Sequence, residues 1–407
     1  MCVLIVVHKK LKLEMKMKNR WVALMAGILI QTVLGGIYAW STFAPFLERC
    51  YGLSKGQCGF IFGVTIASFT LAMTQAGHVM ARKGPRFTVA IGALLFMTGY
   101  LLASISNGYF PVLLVSLGVV SGIGIGFGYA CPLSVAMKWF PQRKGLVTGV
   151  SVAGFGGGAI LLSSTAAHFL QQIDLLVFFR FYGISTGVIL LISAFFLTEP
   201  TTTLRKSTQV KWKKEVISWP FFILATSLFA GTFSGLLVIG NLVPIVVANG
   251  LPQSQAVIAI TIFSLGNVLG RVFWGHVFDK INYKCIPLSL ICFALFTPPL
   301  LLSLPHWVTM LAIGLLGFAF GANFVIYASA TSLHFGTEYF SILYPLCFLS
   351  YGIAGMVGPF VGGWLADGSG AYNTALYLSI SVLVIAAILA SLRLSVLKLS
   401  RDGVTVS

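Results

Sequence analysis

The sequence predicts an all-α integral membrane protein with twelve transmembrane helices in two parallel six-helix repeats. Three observations carry this. The chain of 407 residues is 57% apolar and 9% charged, with a mean hydropathy of +0.95, which leaves too little polar surface to cover a water-soluble globule. The apolar residues gather in runs of about 20 or more, the length a helix needs to cross roughly 30 Å of hydrocarbon. Finally, GHVMARKGPR (Gly77 to Arg86) returns as GHVFDKINYK (Gly275 to Lys284) 198 positions later.

Charge, Pro or Gly-Asn clusters bound each run. Span one, 21–46, follows Arg20 and stops before Glu48 and Arg49; span two, 57–80, lies between Lys55 and Arg82. Span three, 87–106, runs from Arg86 to Asn107-Gly108, and span four, 110–136, ends before Lys138. Span five, 146–170, starts past Lys144, and span six, 176–197, separates Asp174 from Glu199. The second half repeats the scheme at 219–248, 255–278, 285–304, 307–332, 342–366 and 374–395. The expected organisation is a tail at 1–20, a bundle at 21–197, a loop at 198–218, a bundle at 219–395 and a tail at 396–407. The start, MCVLIVVHKKLKLEMKMKNRW, has its apolar patch before its basic cluster, the reverse of a signal peptide, and no cleavage site. It reads as a cytoplasmic tail, with Met15 or Met17 as an alternative first residue.

The net charge of +17 invites a nucleic-acid partner, but the placement of the charge argues otherwise. Of the 26 Lys and Arg residues, Arg49 and Lys55 lie on one face, Arg180 and Arg271 within spans, and all the others on the opposite face. Such a bias is a topology signal that puts both termini in the cytoplasm, and it excludes a nucleic-acid function. The seven cysteines form no metal or disulfide framework. Only Cys50 and Cys58 approach the outer face, where a disulfide between them is one option.

The two decapeptides occupy the cytoplasmic ends of spans two and eight, and GIYAWSTFAP (Gly36 to Pro45) matches GLLVIGNLVP (Gly235 to Pro244) at nearly the same offset. The chain is therefore a duplicated six-helix unit. Parallel repeats of this kind are the arrangement of major facilitator transporters, with a substrate site near the membrane midplane. The decapeptides resemble that superfamily's G-x-x-x-D-[RK]-x-G-[RK]-[RK] signature. By that resemblance Gly77, Arg82, Gly84 and Arg86, with Gly275, Asp279 and Lys280, form a conformational latch. Ala81 replaces the acid of the first copy, and Asp279 keeps it in the second. The alternative is that both are only basic turns that set topology. GGIYAWSTFAPFL and GIGIGFGYACPLSVAMKWFPQRKGLVTGVSVAGFGGGA further resemble the oxalate/formate antiporter family of that superfamily.

GIGIGFG superficially offers a dinucleotide fingerprint, but it lies inside an apolar helix with no preceding strand, so it reads as close helix packing, as does GFGGGA. The nine acids, Glu14, Glu48, Asp174, Glu199, Glu215, Asp279, Glu338, Asp367 and Asp402, all lie in tails, loops or span ends. No carboxylate pair, zinc spacing or phosphate loop occurs, so no enzyme, metal or cofactor is expected.

Arg271 lies eight residues before Asp279, about 12 Å from the boundary at about 1.5 Å per residue. A guanidinium near the midplane is costly and usually faces a cavity. No intramembrane acid neutralises it, so an anionic solute is the simplest partner. The family resemblance implies the same, because its oxalate transporter uses an arginine on helix eight; that transporter's helix-eleven lysine falls here on Tyr351, which favours a monoanion. The alternative is that Arg271 snorkels or bonds backbone carbonyls. Arg180, close to the outer end of span six, can reach water or Asp174 and reads as structural. By resemblance, an aromatic box surrounds the solute. Tyr129 maps onto Phe324, and Phe155 onto Tyr351, with Tyr38, Trp40 and Tyr327 as further members. Each is also a plausible packing residue.

The expected function is secondary transport of a small organic monoanion such as formate, lactate or pyruvate by alternating access, in a bacterial inner membrane, by a monomer. Two alternatives stand: a carrier of a larger solute (metabolite, siderophore or drug) with Arg271 structural, and a non-transporting receptor on the same fold.

Overall fold

A computed structural model describes residues 19–200, 212–302, 304–369 and 371–393. The expected tails beyond these limits, the alternative starts at Met15 and Met17, and most of the central loop lie outside the described residues. All the regular secondary structure of the described residues is helical, with no strand among them.

Eleven helical stretches are long and apolar enough to cross a membrane. One of them, Ile258–Leu301, is divided by the turn Asn282–Lys284, so the twelve predicted crossings are all present. Large apolar side chains such as Leu71, Phe181, Phe195, Leu269 and Phe360 face outward, as a lipid-facing surface requires.

The chain divides into two compact units. Unit 1 comprises Met1–Val147 and Gly158–Val210, and unit 2 comprises Thr148–Gly157 and Lys211–Ser407. Unit 1 holds α1 (19–34), α2 (Trp40–Tyr51), α3 (Lys55–Lys83), α4 (Pro85–Ser104), α5 (Phe110–Leu113), α6 (Gly122–Trp139), both ends of α7 (Lys144–Phe169) and α8 (Leu175–Phe196). Unit 2 holds the middle of α7 and then α9 (Trp212–Val216), α10 (Trp219–Gly240), α11 (Leu242–Ala248), α12 (Gln253–Ile281) and α13 (Cys285–Phe296). It continues with α14 (His306–Gly321), α15 (Ile326–Phe335), α16 (Thr337–Ser369) and α17 (Asn373–Leu392).

The same pairings recur in each unit. In unit 1, α3 packs on α6 and α4 on α8; in unit 2, α12 packs on α14 and α13 on α17. These are spans two with four, three with six, eight with ten and nine with twelve, so the duplication read from the sequence is a duplication of packing. The turns match as well. Gly84 closes α3 at φ +85°, and Asn282, at the same place in the second decapeptide, closes α12 at φ +49°.

Several boundaries differ from expectation. Span one is not one helix: at Gly35–Ala39 it tightens to a 3-10 segment before α2 begins. Span seven breaks between Gly240 and Leu242, span ten passes through a 3-10 turn at Ala322–Phe324, and span four carries a π-helical stretch at Leu114–Ser121. Hydropathy cannot register such breaks, because the broken segments stay apolar.

The GIGIGFG stretch packs helices, as expected. A side chain at Gly126 would strike the Phe69 carbonyl of α3 at 2.5 Å, and one at Gly124 would strike the Phe96 amide of α4 at 2.6 Å. Alternate glycines of α6 thus receive two different neighbours by backbone contact.

Candidate functional site

Arg271 lies on α12, fully buried. Three features hold it. Its Nε donates to Asn267 Oδ1, one turn back, at 3.0 Å. Its Nη1 donates to the carbonyl of Val152, on the stretch of α7 that belongs to unit 2. Its guanidinium carbon lies 4.4 Å from the centre of the Phe324 ring, a cation–π distance.

Local sequence makes this possible. A side chain at Gly149 would overlap the Arg271 carbonyl, so α7 and α12 meet there backbone to backbone. One at Gly156 would reach within 3.6 Å of the guanidinium carbon and 2.9 Å of Val268. The glycines of this part of α7 therefore give the guanidinium room and expose the Val152 carbonyl. On the other side Gly321 of α14 abuts the Arg271 amide, where a side chain would approach to 2.9 Å.

Phe324 continues into an aromatic cluster. It lies 5.5 Å from Tyr351, edge to face, and Tyr351 lies 5.0 Å from Phe348. Tyr344 and Phe340 extend the row along α16 at helical spacing. Three of the residues expected from the sequence, Arg271, Phe324 and Tyr351, are thus brought into one cluster. Phe155 is buried beside Gly156, and Tyr327 is buried on α15 one turn past Phe324.

The other three belong to unit 1. Tyr129 is buried on α6 with its ring 5.2 Å from Phe69. Tyr38 is half-buried in the 3-10 segment. Trp40 donates from its indole to the Cys58 carbonyl at 3.0 Å and lines a small cavity of about 20 Å³ with Phe43, Thr65 and Ser121, room for little more than one water.

Two amides, Gln31 fully buried and Asn267 half-buried, were missed by the sequence reading, although a polar residue within an apolar span was the available signal. Asn267 orients Arg271. Gln31, fully buried on α1, donates from Nε2 to the Tyr129 carbonyl at 2.9 Å.

In the loop motif, Gly77 and Gly84 are buried while Arg82 and Arg86 are exposed, Arg86 lying over the Phe195 ring at 5.6 Å. In the second copy Gly275 is buried, Asp279 half-buried and Lys280 exposed. Two alternatives left open at the outer end are decided here. Cys50 and Cys58 are free thiols, one exposed and one buried. Asp174 does not engage Arg180: it accepts from the Tyr51 hydroxyl at 2.6 and 2.7 Å and caps α8 through the Leu176 amide. Burial, followed by the Asp174 carboxylate, pushes the Tyr51 phenol well above its ordinary value.

Duplicated bundles of apolar helices with a buried cation in one of them define a polytopic membrane transporter. The chain belongs to the Major Facilitator Superfamily, whose profile matches residues 23–260 and 237–403. It is 27% identical over 385 residues to the oxalate:formate antiporter of Oxalobacter formigenes, covering 92% of this chain and 91% of that one. It is 23% identical over 450 aligned positions to apicoplast pyruvate carrier 1 of Toxoplasma gondii, covering 81% of each. Among solved structures, the transporter FucP in its outward conformation superposes with a TM-score of 0.73 at 14% identity, over 91% of this chain and 98% of that one. The protein is thus an integral membrane transporter of small molecules and not an enzyme.

Proposed function

We propose that the protein carries a small organic monoanion, such as formate, lactate or pyruvate, across the membrane by alternating access, with Arg271 as the anion's anchor. The observation that carries this reading is a fully buried guanidinium held by the neutral Asn267 amide and Val152 carbonyl, in a chain whose acids all lie at span ends or beyond. Those partners are neutral and orient its positive charge, an arrangement that suits a carboxylate. The names of the two relatives support a small organic anion as the solute. Tyr351, where the resembled transporter has a lysine, leaves one fixed charge and favours a monoanion. Phe324, Tyr351, Phe155 and Tyr327, with Tyr38, Trp40 and Tyr129 of unit 1, are the proposed aromatic lining.

The basic bias of the loops supports a bacterial inner-membrane orientation with both termini cytoplasmic, and the protein is proposed to act as a monomer. Gly77, Arg82, Gly84, Arg86, Gly275, Asp279 and Lys280 are proposed as the latch of the conformational cycle, the acid's share falling to Asp279.

A second reading has one observation behind it: the bond from Arg271 to the Val152 carbonyl is what a structural arginine would make. On that reading the solute is larger and need not be anionic. Uptake of labelled formate, lactate, pyruvate and oxalate into proteoliposomes, with wild type and Arg271→Gln, separates the two. Saturable monocarboxylate transport that the variant loses supports the anchor. A folded wild type that transports none of the four, or an unaffected variant, refutes it.

A further inference from the structure

Two of the helix breaks that hydropathy could not register meet at one place in unit 1. The 3-10 segment Gly35–Ala39 of span one and the π-helical stretch Leu114–Ser121 of span four both contribute to the wall of the cavity of about 20 Å³ beside Trp40. Gly36 comes from the first and Leu117 and Ser121 from the second, while α3 and α4 add Thr65 and Tyr100. The described residues that line the cavity carry no charge.

The hydrogen bonds already made fix what the wall can still offer. A hydroxyl has one hydrogen to donate and two lone pairs to accept with. Thr65 Oγ1 gives its hydrogen to the Ile61 carbonyl at 2.7 Å, and Ser121 Oγ gives its own to the Leu117 carbonyl, so both oxygens present only lone pairs to a ligand. The Trp40 indole N–H is taken by the Cys58 carbonyl at 3.0 Å. Tyr100 differs: it meets Phe96, Phe179 and Tyr182 through its ring, and none of those contacts uses its hydroxyl hydrogen.

A ligand of this cavity therefore has to donate twice, accept once, be neutral and fit a volume of about 20 Å³. Water meets all four conditions, since it needs about 10–15 Å³ of such volume and 2–4 polar partners. A carboxylate solute has no hydrogen to donate and is too large; a bare cation cannot accept from Tyr100 and would face a wall without an acid. We propose that the cavity is a binding site for one ordered water, which donates to Thr65 Oγ1 and Ser121 Oγ and accepts from the Tyr100 hydroxyl. The water ties α3, α4 and the π-helical stretch together at the level where span one breaks, as ordered waters do for irregular backbone inside a membrane. The inference is independent of the solute.

The test uses the purified full chain. A density map of the wild type, at a resolution that shows ordered water, should carry one peak within about 3.2 Å of all three oxygens. Tyr100→Phe and Thr65→Val each delete a hydroxyl with almost no change of shape, and each should lower the melting temperature by about 2 °C or more. Because both groups hold the same water, the double variant should lose clearly less than the sum of the two single losses. Ser121→Ala takes the place of Thr65→Val in this cycle should that variant fold poorly. An empty cavity in the map, additive losses, or a Tyr100→Phe protein that melts at or above the wild-type temperature would overturn the proposal. The last result is the one expected of a hydroxyl turned into a dry cavity, because its removal relieves an unsatisfied donor.

Discussion

Replacing Asn267 by Asp changes one atom type beside the proposed anchor and reverses its electrostatics. In the native protein Asn267 Oδ1 accepts from Arg271 Nε at 3.0 Å without adding charge. A carboxylate there would form an ion pair along the same helix with almost no rearrangement. Two unit charges about 4 Å apart attract by about 4 kcal/mol at an effective dielectric of 20. A solute carboxylate would have to compete with that partner, so its binding should weaken by roughly a thousandfold, since about 1.4 kcal/mol is a factor of ten. The fold should tolerate the change, because the new charge arrives already paired. The assay is proteoliposome uptake of labelled formate and lactate, beside thermal unfolding of the purified protein. The expected result is transport lost and melting temperature kept. Transport at wild-type level by Asn267→Asp would refute Arg271 as the anion anchor, since an anchor cannot be neutralised without consequence.

Two further outcomes follow from the packing and the outer contact. Gly124→Ala places a methyl group 2.6 Å from the Phe96 amide and 2.8 Å from the Gly92 carbonyl, both backbone, and should destabilise the protein by about 1–3 kcal/mol, measured by thermal unfolding in detergent. The raised pKa of the Tyr51 phenol means that the folded state holds its proton more tightly than the unfolded chain. Its contribution to stability is therefore complete below the ordinary phenol value near 10 and is lost as pH rises beyond it. Tyr51→Phe should flatten this alkaline loss while lowering stability at pH 7 by about 1 kcal/mol; melting temperatures between pH 7 and 11 check both.

The sequence by itself determined the number of crossings, their approximate limits and the duplication. Those properties follow from chemistry distributed along the chain: apolar runs of membrane length, basic loops on one face, and glycines at repeated offsets. It also identified Arg271, because a cation inside an apolar run is anomalous without knowledge of any contact. It did not determine how that cation is held. The Val152 carbonyl lies 119 residues from Arg271 in the chain, and a backbone carbonyl has no side-chain signature to read. Gln31 and the Tyr129 carbonyl are 98 residues apart, and a single amide in an apolar helix looks alike whether it faces lipid, a neighbour or a ligand. The same holds for the broken first span, whose 3-10 segment at Gly35–Ala39 stays as apolar as a straight helix, and for Asp174, whose proximity to Arg180 in sequence gave way to Tyr51 of another helix. Burial in lipid is a property of composition, legible one residue at a time. The choice of hydrogen-bond partner is a property of pairs distant in sequence, and only the packing of helices decided it.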